Sequence, residues 1–320
     1  MKLSHANVSI DLDGIACYHA IHAIDGPADP TAIYDVALPR FLDCVEAHGI
    51  RATLFVIASD LAHEGVAEAL RGAHERGHEV ASHSFAHPYG LRRWSDEAIR
   101  EDLEAADRAI EDATGARPSG FRTPGYNIDD RLLGFILERG YRYDSSVFAC
   151  PPYYFAKAAV MGAMALAGTP SRSSMTHPAA LLAPLQPYRP SRASFARPAP
   201  RAGEGLPIWE IPMGVVRGVR FPVIGTSIGA LSPRAAALLG RALLKGQPTI
   251  QLEFHGIDFL DRHDDAISDA LADRQPDARR ALASKLDAYH ALFDAVGLAR
   301  SWVTLDGLCD VLDAREGAQA

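Results

Sequence analysis

Cysteine is scarce and scattered in this chain. The four, Cys17, Cys44, Cys150 and Cys309, form no CxxC pair among the 320 residues. Neither a disulfide framework nor a thiolate zinc site is indicated, and reduced thiols in a cytosolic protein are the expectation. Long apolar runs are lacking too, and no stretch of about 20 apolar residues exists to span a bilayer. The longest, Tyr153 to Gly168, is interrupted by Lys157. It is too short to cross a membrane, but it has the character of a segment that lies on one; a buried helix is the competing reading. The first residues, MKLSHANVSIDLDG, are too polar for a secretory signal. A cytoplasmic location is therefore expected, at the inner face of the membrane if the apolar run meets lipid. There is no basic stripe, and 32 Lys and Arg face 40 Asp and Glu, which argues against a nucleic-acid partner. No GxGxxG or GxxxxGK[ST] loop occurs, which argues against a nucleotide-binding open sheet.

What is present is an alternation of strand and helix patterns. Asn7 to Leu12, Ala52 to Ala58, His78 to His83, Gly120 to Thr123, Tyr141 to Val147, Ile208 to Met213, Pro248 to His255 and Ser301 to Thr304 read as strands. Helices are expected over Tyr34 to His48, Ala62 to Arg76, Ser95 to Thr114, from Asp129 to Gly140, from Ser232-Pro233 onward, and over Asp277 to Val296 and Leu305 to Leu312. The clearest starts at Ser95, a good N-cap followed by Asp96 and Glu97 at the positive end of the dipole. Its stripe of Ile99, Leu103, Ala106 and Ile110 stops at Gly115. From 149 to 206 the alternation gives way to a Pro-, Ser- and Arg-rich stretch, read as an insertion or lid within a single domain covering 1–320. Repeated βα units imply an α/β fold with a parallel sheet inside a shell of helices, closed or nearly closed into a barrel.

The candidate chemical residues share one location. Asp11 and Asp13 follow the first strand, His83 ends the third, His87 lies just beyond it, Arg122 ends the fourth, and His255 ends the strand after the insertion. In a βα barrel these C-terminal strand ends converge on the face where active sites are built. Two residues apart, Asp11 and Asp13 point to one side, so one can bind a cation while the other takes a proton. A DxDG turn whose carboxylates cap backbone amides is the competing reading. His83 and His87, placed on a helical turn, would bring both rings to one face and ligate one metal. That spacing is weak on its own, since His74 and His78 share it. The latter straddle Gly77 and read as surface or turn residues. His19 and His22 read as part of the loop after Asp13, lining a pocket or simply solvated. One aspartate with two histidines leaves positions open for water, the catalytic arrangement, and nitrogen-rich ligation suits zinc, cobalt, nickel or iron better than calcium or magnesium. Arg122 beside Asp11 would orient that carboxylate; a surface ion pair is the alternative. His255 is either a packed residue or a catalyst.

At these residues the sequence resembles the polysaccharide deacetylase family (NodB homology, carbohydrate esterase 4). The segments that carry the resemblance are SIDLDG, SHSFAH, FRTPGY, YDSSVF and LEFHGID, in the family's order between Asn7 and Asp258. The resemblance implies a distorted (β/α)7 barrel and a hydrolase that uses a divalent metal, zinc first, to remove an N-acyl group from an amino sugar. The Asp-Leu-Asp form departs from the commonest first motif, in which two aspartates are adjacent, and would leave Leu12 at the base position. It is similar to the branch containing the Helicobacter-type peptidoglycan deacetylase and the aminoarabinose-pathway deformylase. That likeness makes Asp11 the base and Asp13, His83 and His87 the metal ligands. It further implies His255 as the acid, the Tyr126 backbone N–H at the oxyanion, and Thr123 and Pro124 shaping the loop that carries Arg122. Glu210 and Asp144 are the candidates for orienting His255. An amino sugar or lipid-linked sugar, acetylated or formylated, is the expected substrate, with peripheral membrane contact through the apolar run. An allantoinase-like amide hydrolase and a non-catalytic glycan-binding barrel are the alternatives.

Overall fold

The computed structural model describes residues 4–318. In chain order the strands are β1 (His5–Asp11), β2 (Thr53–Val56), β3 (Glu79–Ser82), β4 (Gly120–Phe121), β5 (Tyr143–Asp144), β6 (Pro190–Ser191), β7 (Ser194–Pro198), β8 (Trp209–Glu210), β9 (Val215–Val216), β10 (Phe221–Pro222), β11 (Thr249–His255) and β12 (Ser301–Trp302). The main sheet runs β11-β1-β2-β3-β4-β5-β8, every pair parallel. It is a curled half-barrel of seven strands, and β12 shares one edge of β1 with β2. Parallel neighbours need crossover connections, and helices supply them. The first six are α1 (Ile15–His22), α2 (Leu38–Glu46), α3 (Val66–Glu75), α4 (Asp96–Thr114), α5 (Asp130–Glu138) and α6 (Pro151–Leu166).

The two-residue period of β1 sorts its side chains. Ala6, Val8 and Ile10 enter the apolar layer shared with Phe41 of α2 and with Leu292 and Phe293 of the helix Leu282–Gly297. Asn7, Ser9 and Asp11 project to the other side and are also buried, so the barrel interior is polar and needs internal partners. At the N-terminal end of the barrel, Glu79 meets that need. It accepts from Thr53 Oγ1 at 2.7 Å, Tyr143 Oη at 2.7 Å, Ser119 Oγ at 3.2 Å and the Asp306 amide at 3.0 Å. Gly120 makes room for this seal: a Cβ there would sit 1.8 Å from Tyr143 Cζ. The opposite, C-terminal end carries the candidate residues.

Several expectations change in detail. Residues 15–22 form α1, so His19 and His22 lie on a helix rather than in a loop. His78 is buried, accepts the Ala52 amide through Nδ1 and contacts Glu46 through Nε2, a structural role rather than a surface one. The helix expected over 277–296 is divided into Pro276–Arg279 and Leu282–Gly297. The helix expected over 34–48 starts as a wider turn at Ile33–Ala37. Residues 149–206 hold α6, a short turn at Pro178–Leu182 and the β6–β7 hairpin. No residue of α6 is buried, and Phe155, Val160 and Leu166 are 65%, 57% and 93% exposed.

Candidate active site

Strand register places the site. Ser9 pairs with Glu253 and Asp11 with His255 across β1 and β11, while Val56, Ser82 and Phe121 align the ends of β2, β3 and β4. The residues just past these ends therefore meet. Arg122 is the hub, 1% exposed and stacked on Phe55 with its guanidinium 4.0 Å from the ring centroid. It donates through Nη1 to Asp11 Oδ1 at 2.5 Å, through Nη2 to Ser9 Oγ at 3.1 Å and Ser145 Oγ at 2.9 Å, and through Nε to the Ser145 carbonyl at 2.9 Å. A buried guanidinium is tolerable only when its donors are occupied in this way.

Asp13, His83 and His87 form the second group. Asp13 Oδ1 lies 3.4 Å from His83 Nε2 and 3.2 Å from His87 Nε2. Neither Asp13 Oδ1 nor His87 Nε2 has a hydrogen-bond partner among the described residues, though both are buried. His83 Nδ1 lies 2.7 Å from the Arg122 carbonyl. A carbonyl only accepts, so Nδ1 carries a proton, and Nε2, the atom that faces Asp13, is the one a metal-ligating histidine would offer. Burial would raise the Asp13 carboxyl, but His87 and His83 beside it hold it well below the usual range. Burial would conversely lower His87, and Asp13 and then Cys17 push it well above its ordinary value. Three buried ligand atoms converge on one point, two of them without a hydrogen-bond partner among the described residues, and the set fits a divalent cation.

The HxxxH segment reaches this geometry without a helical turn. Ser84 and His87 adopt left-handed backbone, with φ of 66° and 51°. Ser84 Oγ accepts the His87 amide at 3.0 Å, and the Asp102 carboxylate on α4 accepts the Phe85 and Ala86 amides at 3.0 and 3.1 Å. The helical reading of that spacing is thus corrected, because Asp102 holds the loop in a tighter shape. Cys17 Sγ lies 3.5 Å from His87 Nδ1.

His255 is oriented by Glu253, not by Glu210 or Asp144. Its Nδ1 lies 3.1 Å from Glu253 Oε1, two residues earlier on the same face of β11. Tyr126 Oη lies 3.1 Å from both Glu253 Oε1 and His255 Nε2. Glu210 accepts the Val147 amide and Asp144 accepts Ser146 Oγ, away from His255. Burial works to lower His255, but Glu253, then Asp11 and Asp13, outweigh it and push it up to about 9. The Tyr126 amide donates to the Thr123 carbonyl at 2.9 Å, so it is not free for an oxyanion. Pro124 is buried at the start of the turn Pro124–Tyr126, in which Gly125 has φ +64°.

Asp11, Glu253 and His255 also lie close enough to share a cation. Arg122 already neutralises Asp11 and Tyr126 already binds Glu253 and His255, so the Asp13–His83–His87 group is the better metal centre. Both groups open into one cleft of about 320 Å³. Its polar wall includes His22, Thr226, Gln275 and Asp277, and its apolar wall comes from Ile224, Ile257 and the α6 residues Val160, Met161 and Met164. The Tyr18 and Tyr89 hydroxyls on this cleft have no partner among the described residues. A second hollow, of about 400 Å³ over Leu182 and Arg197, lacks such groups.

A family model described as polysaccharide deacetylase matches residues 25–143. Residues 25–143 thus resemble a polysaccharide deacetylase domain over part of the chain. Chitin deacetylase 1 of Cryptococcus neoformans var. grubii is 29% identical over 116 residues, covering 36% of this chain and 23% of that protein. The peptidoglycan deacetylase of Helicobacter pylori is 25% identical over 155 residues, covering 45% of this chain and 50% of that protein. The matched part thus spans about a quarter to a half of these relatives. A presumed polysaccharide deacetylase from Mycobacterium smegmatis superposes with a TM-score of 0.57 at 17% identity, over 98% of this chain and 92% of that one, which shows the fold. The family match includes His83, His87 and Arg122, while Asp11, Asp13 and His255 lie outside residues 25–143.

Proposed function

We propose that the domain hydrolyses the N-acyl amide of an amino sugar with a divalent cation, zinc first and cobalt, nickel or iron as alternatives, held by Asp13, His83 and His87. The observation that carries this reading is the convergence of those three donors beside Asp11–Arg122 and Glu253–His255 on one cleft. When bound, the cation supplies Lewis-acid polarisation of the acyl carbonyl and acidifies a water. Arg122 holds Asp11 through Oδ1, leaving Oδ2 to accept the water proton as the new C–O bond forms. His255, held by Glu253, gives its proton to the nitrogen as the C–N bond breaks. The products are a carboxylate and a free amine, and the proton taken by Asp11 returns through solvent to reset His255. With the Tyr126 amide occupied, the Tyr18 and Tyr89 hydroxyls, buried and without a partner among the described residues, are candidate donors to the substrate.

The cleft favours an amphipathic substrate. A bare glycan offers nothing to Val160, Met161 and Met164, whereas a lipid-linked amino sugar would meet both walls. The exposed Phe155 and Leu166 beside that wall fit contact with a membrane surface. The test is amine release from N-acetyl and N-formyl amino sugars, free and polyprenyl-linked, with added zinc or chelator. Asp11→Asn is expected to slow release by about a hundred- to ten-thousand-fold. A zinc-loaded wild type that releases no amine across the panel would sink this reading.

A further inference from the structure

Helix α6 is built the wrong way round for a surface helix. Its sequence, PPYYFAKAAVMGAMAL, has one charged residue, Lys157. A solvated helix keeps its ammonium in water and its apolar side chains inward. Here Phe155 and Leu166 face out, while Lys157 is partly buried and lines the cleft beside Val160, Met161 and Met164. It is the one lysine or arginine among the described residues that line it.

Every carboxylate on the cleft is engaged elsewhere. Asp11 is bound by Arg122, Asp13 sits between His83 and His87, and Asp277 accepts from Thr226 Oγ1 at 3.1 Å and Gln275 Nε2 at 2.6 Å. Among the described residues no anion acts on Lys157, and burial alone lowers its pKa to about 8, so it stays largely charged at neutral pH. A charge drawn out of water without a partner is costly, and an anionic ligand would offset that cost through charge-assisted hydrogen bonds. The segment after α6 adds Ser171 and Ser173 to the same cleft, with Ser171 Oγ accepting the Ser173 amide at 3.2 Å. A single ammonium acting as a point charge among hydroxyl donors suits phosphate oxygens better than the planar fork of a carboxylate, for which arginine is the usual partner.

We propose that Lys157 is the anchor of a phosphate subsite, so that the substrate is a phosphorylated amino sugar, as a monoester or as a diester to an apolar chain. This rests on the amide-hydrolase reading, and the experiment separates the two. Amine release is measured on N-acetylglucosamine, N-acetylglucosamine 1-phosphate and its farnesyl diester, with wild type, Lys157→Met and Lys157→Arg. Binding of the latter two compounds is measured by calorimetry in parallel. The wild type is expected to prefer the phosphorylated compounds. Lys157→Met is expected to shrink that preference about ten- to a hundred-fold, mainly through KM, with partial recovery in Lys157→Arg. Preference for the diester would identify a lipid-linked source, and equal use of both a soluble sugar phosphate. If no compound is hydrolysed but Lys157→Met weakens phosphate-ester binding, the subsite stands and the hydrolase reading fails. Hydrolysis with no preference for phosphate, or binding equal in wild type and Lys157→Met, would overturn the subsite.

Discussion

Replacing Glu253 with glutamine probes the acid end of the site most cleanly. The carboxylate lies 3.1 Å from His255 Nδ1 and is buried. Two unit charges at that distance, in an effective dielectric of about 20, interact by roughly 5 kcal/mol. At about 1.4 kcal/mol per pKa unit this is an upper bound of three to four units. His255 is 21% exposed, so water and the remaining carboxylates Asp11, Asp13 and Asp258 will recover much of it. A net fall of about one to two units from the value near 9 is expected. The sign follows from the role: only the imidazolium can give a proton to the amine. Wild-type amine release should persist until pH rises through about 9, while Glu253→Gln, which keeps an acceptor but no charge, should lose activity from about one to two units lower. The assay is kcat/KM for amine release against pH in both proteins, with cation content as a control. An unmoved alkaline limb, or a uniform loss at every pH, would refute the electrostatic argument and leave Glu253 only a geometric role.

Three further outcomes follow from the same geometry. Asp102→Ala removes the carboxylate that holds the Phe85 and Ala86 amides; it should cost about 2–4 kcal/mol in denaturant unfolding and weaken cation affinity about tenfold or more. Gly120→Ala would drive a methyl into Tyr143 and break the Glu79 seal, so a marked loss of soluble yield is expected, and a wild-type melting curve would contradict it. Phe155→Asp combined with Leu166→Asp should abolish pelleting with anionic phospholipid vesicles, and unchanged pelleting would argue that α6 does not meet lipid.

Much of the site was legible because strand polarity is legible. Asp11, Asp13, His83, Arg122 and His255 were placed by the ends of apolar runs, and a parallel sheet brings such ends together whatever the loops do. What escaped depends on distant partners. Nothing in HxxxH reveals that Asp102, fifteen residues beyond His87, takes two amides and forces left-handed backbone at Ser84 and His87. Glu253 is within reach of sequence reasoning, since two residues on a strand share a face, but Glu210 and Asp144 also sit at strand ends and only tertiary structure separates the three. The free amide expected at Tyr126 failed because Gly125 and Tyr126, both at positive φ, turn that N–H back onto Thr123. Helix α1 was missed because Ile15–His22 has no clean apolar stripe and starts directly after the aspartates. The orientation of Lys157 is tertiary, and the sequence shows only an interruption in an apolar run.

The central claim is that Asp13, His83 and His87 form one cation site. Elemental analysis of the purified chain, dialysed against a slight excess of zinc, tests it directly. About one cation per chain is expected. In the doubly substituted His83→Ala, His87→Ala chain, the bound cation should fall to a small fraction of that while the fold signal by circular dichroism persists. A wild type without bound cation, or a double variant that keeps its full complement, would contradict the account.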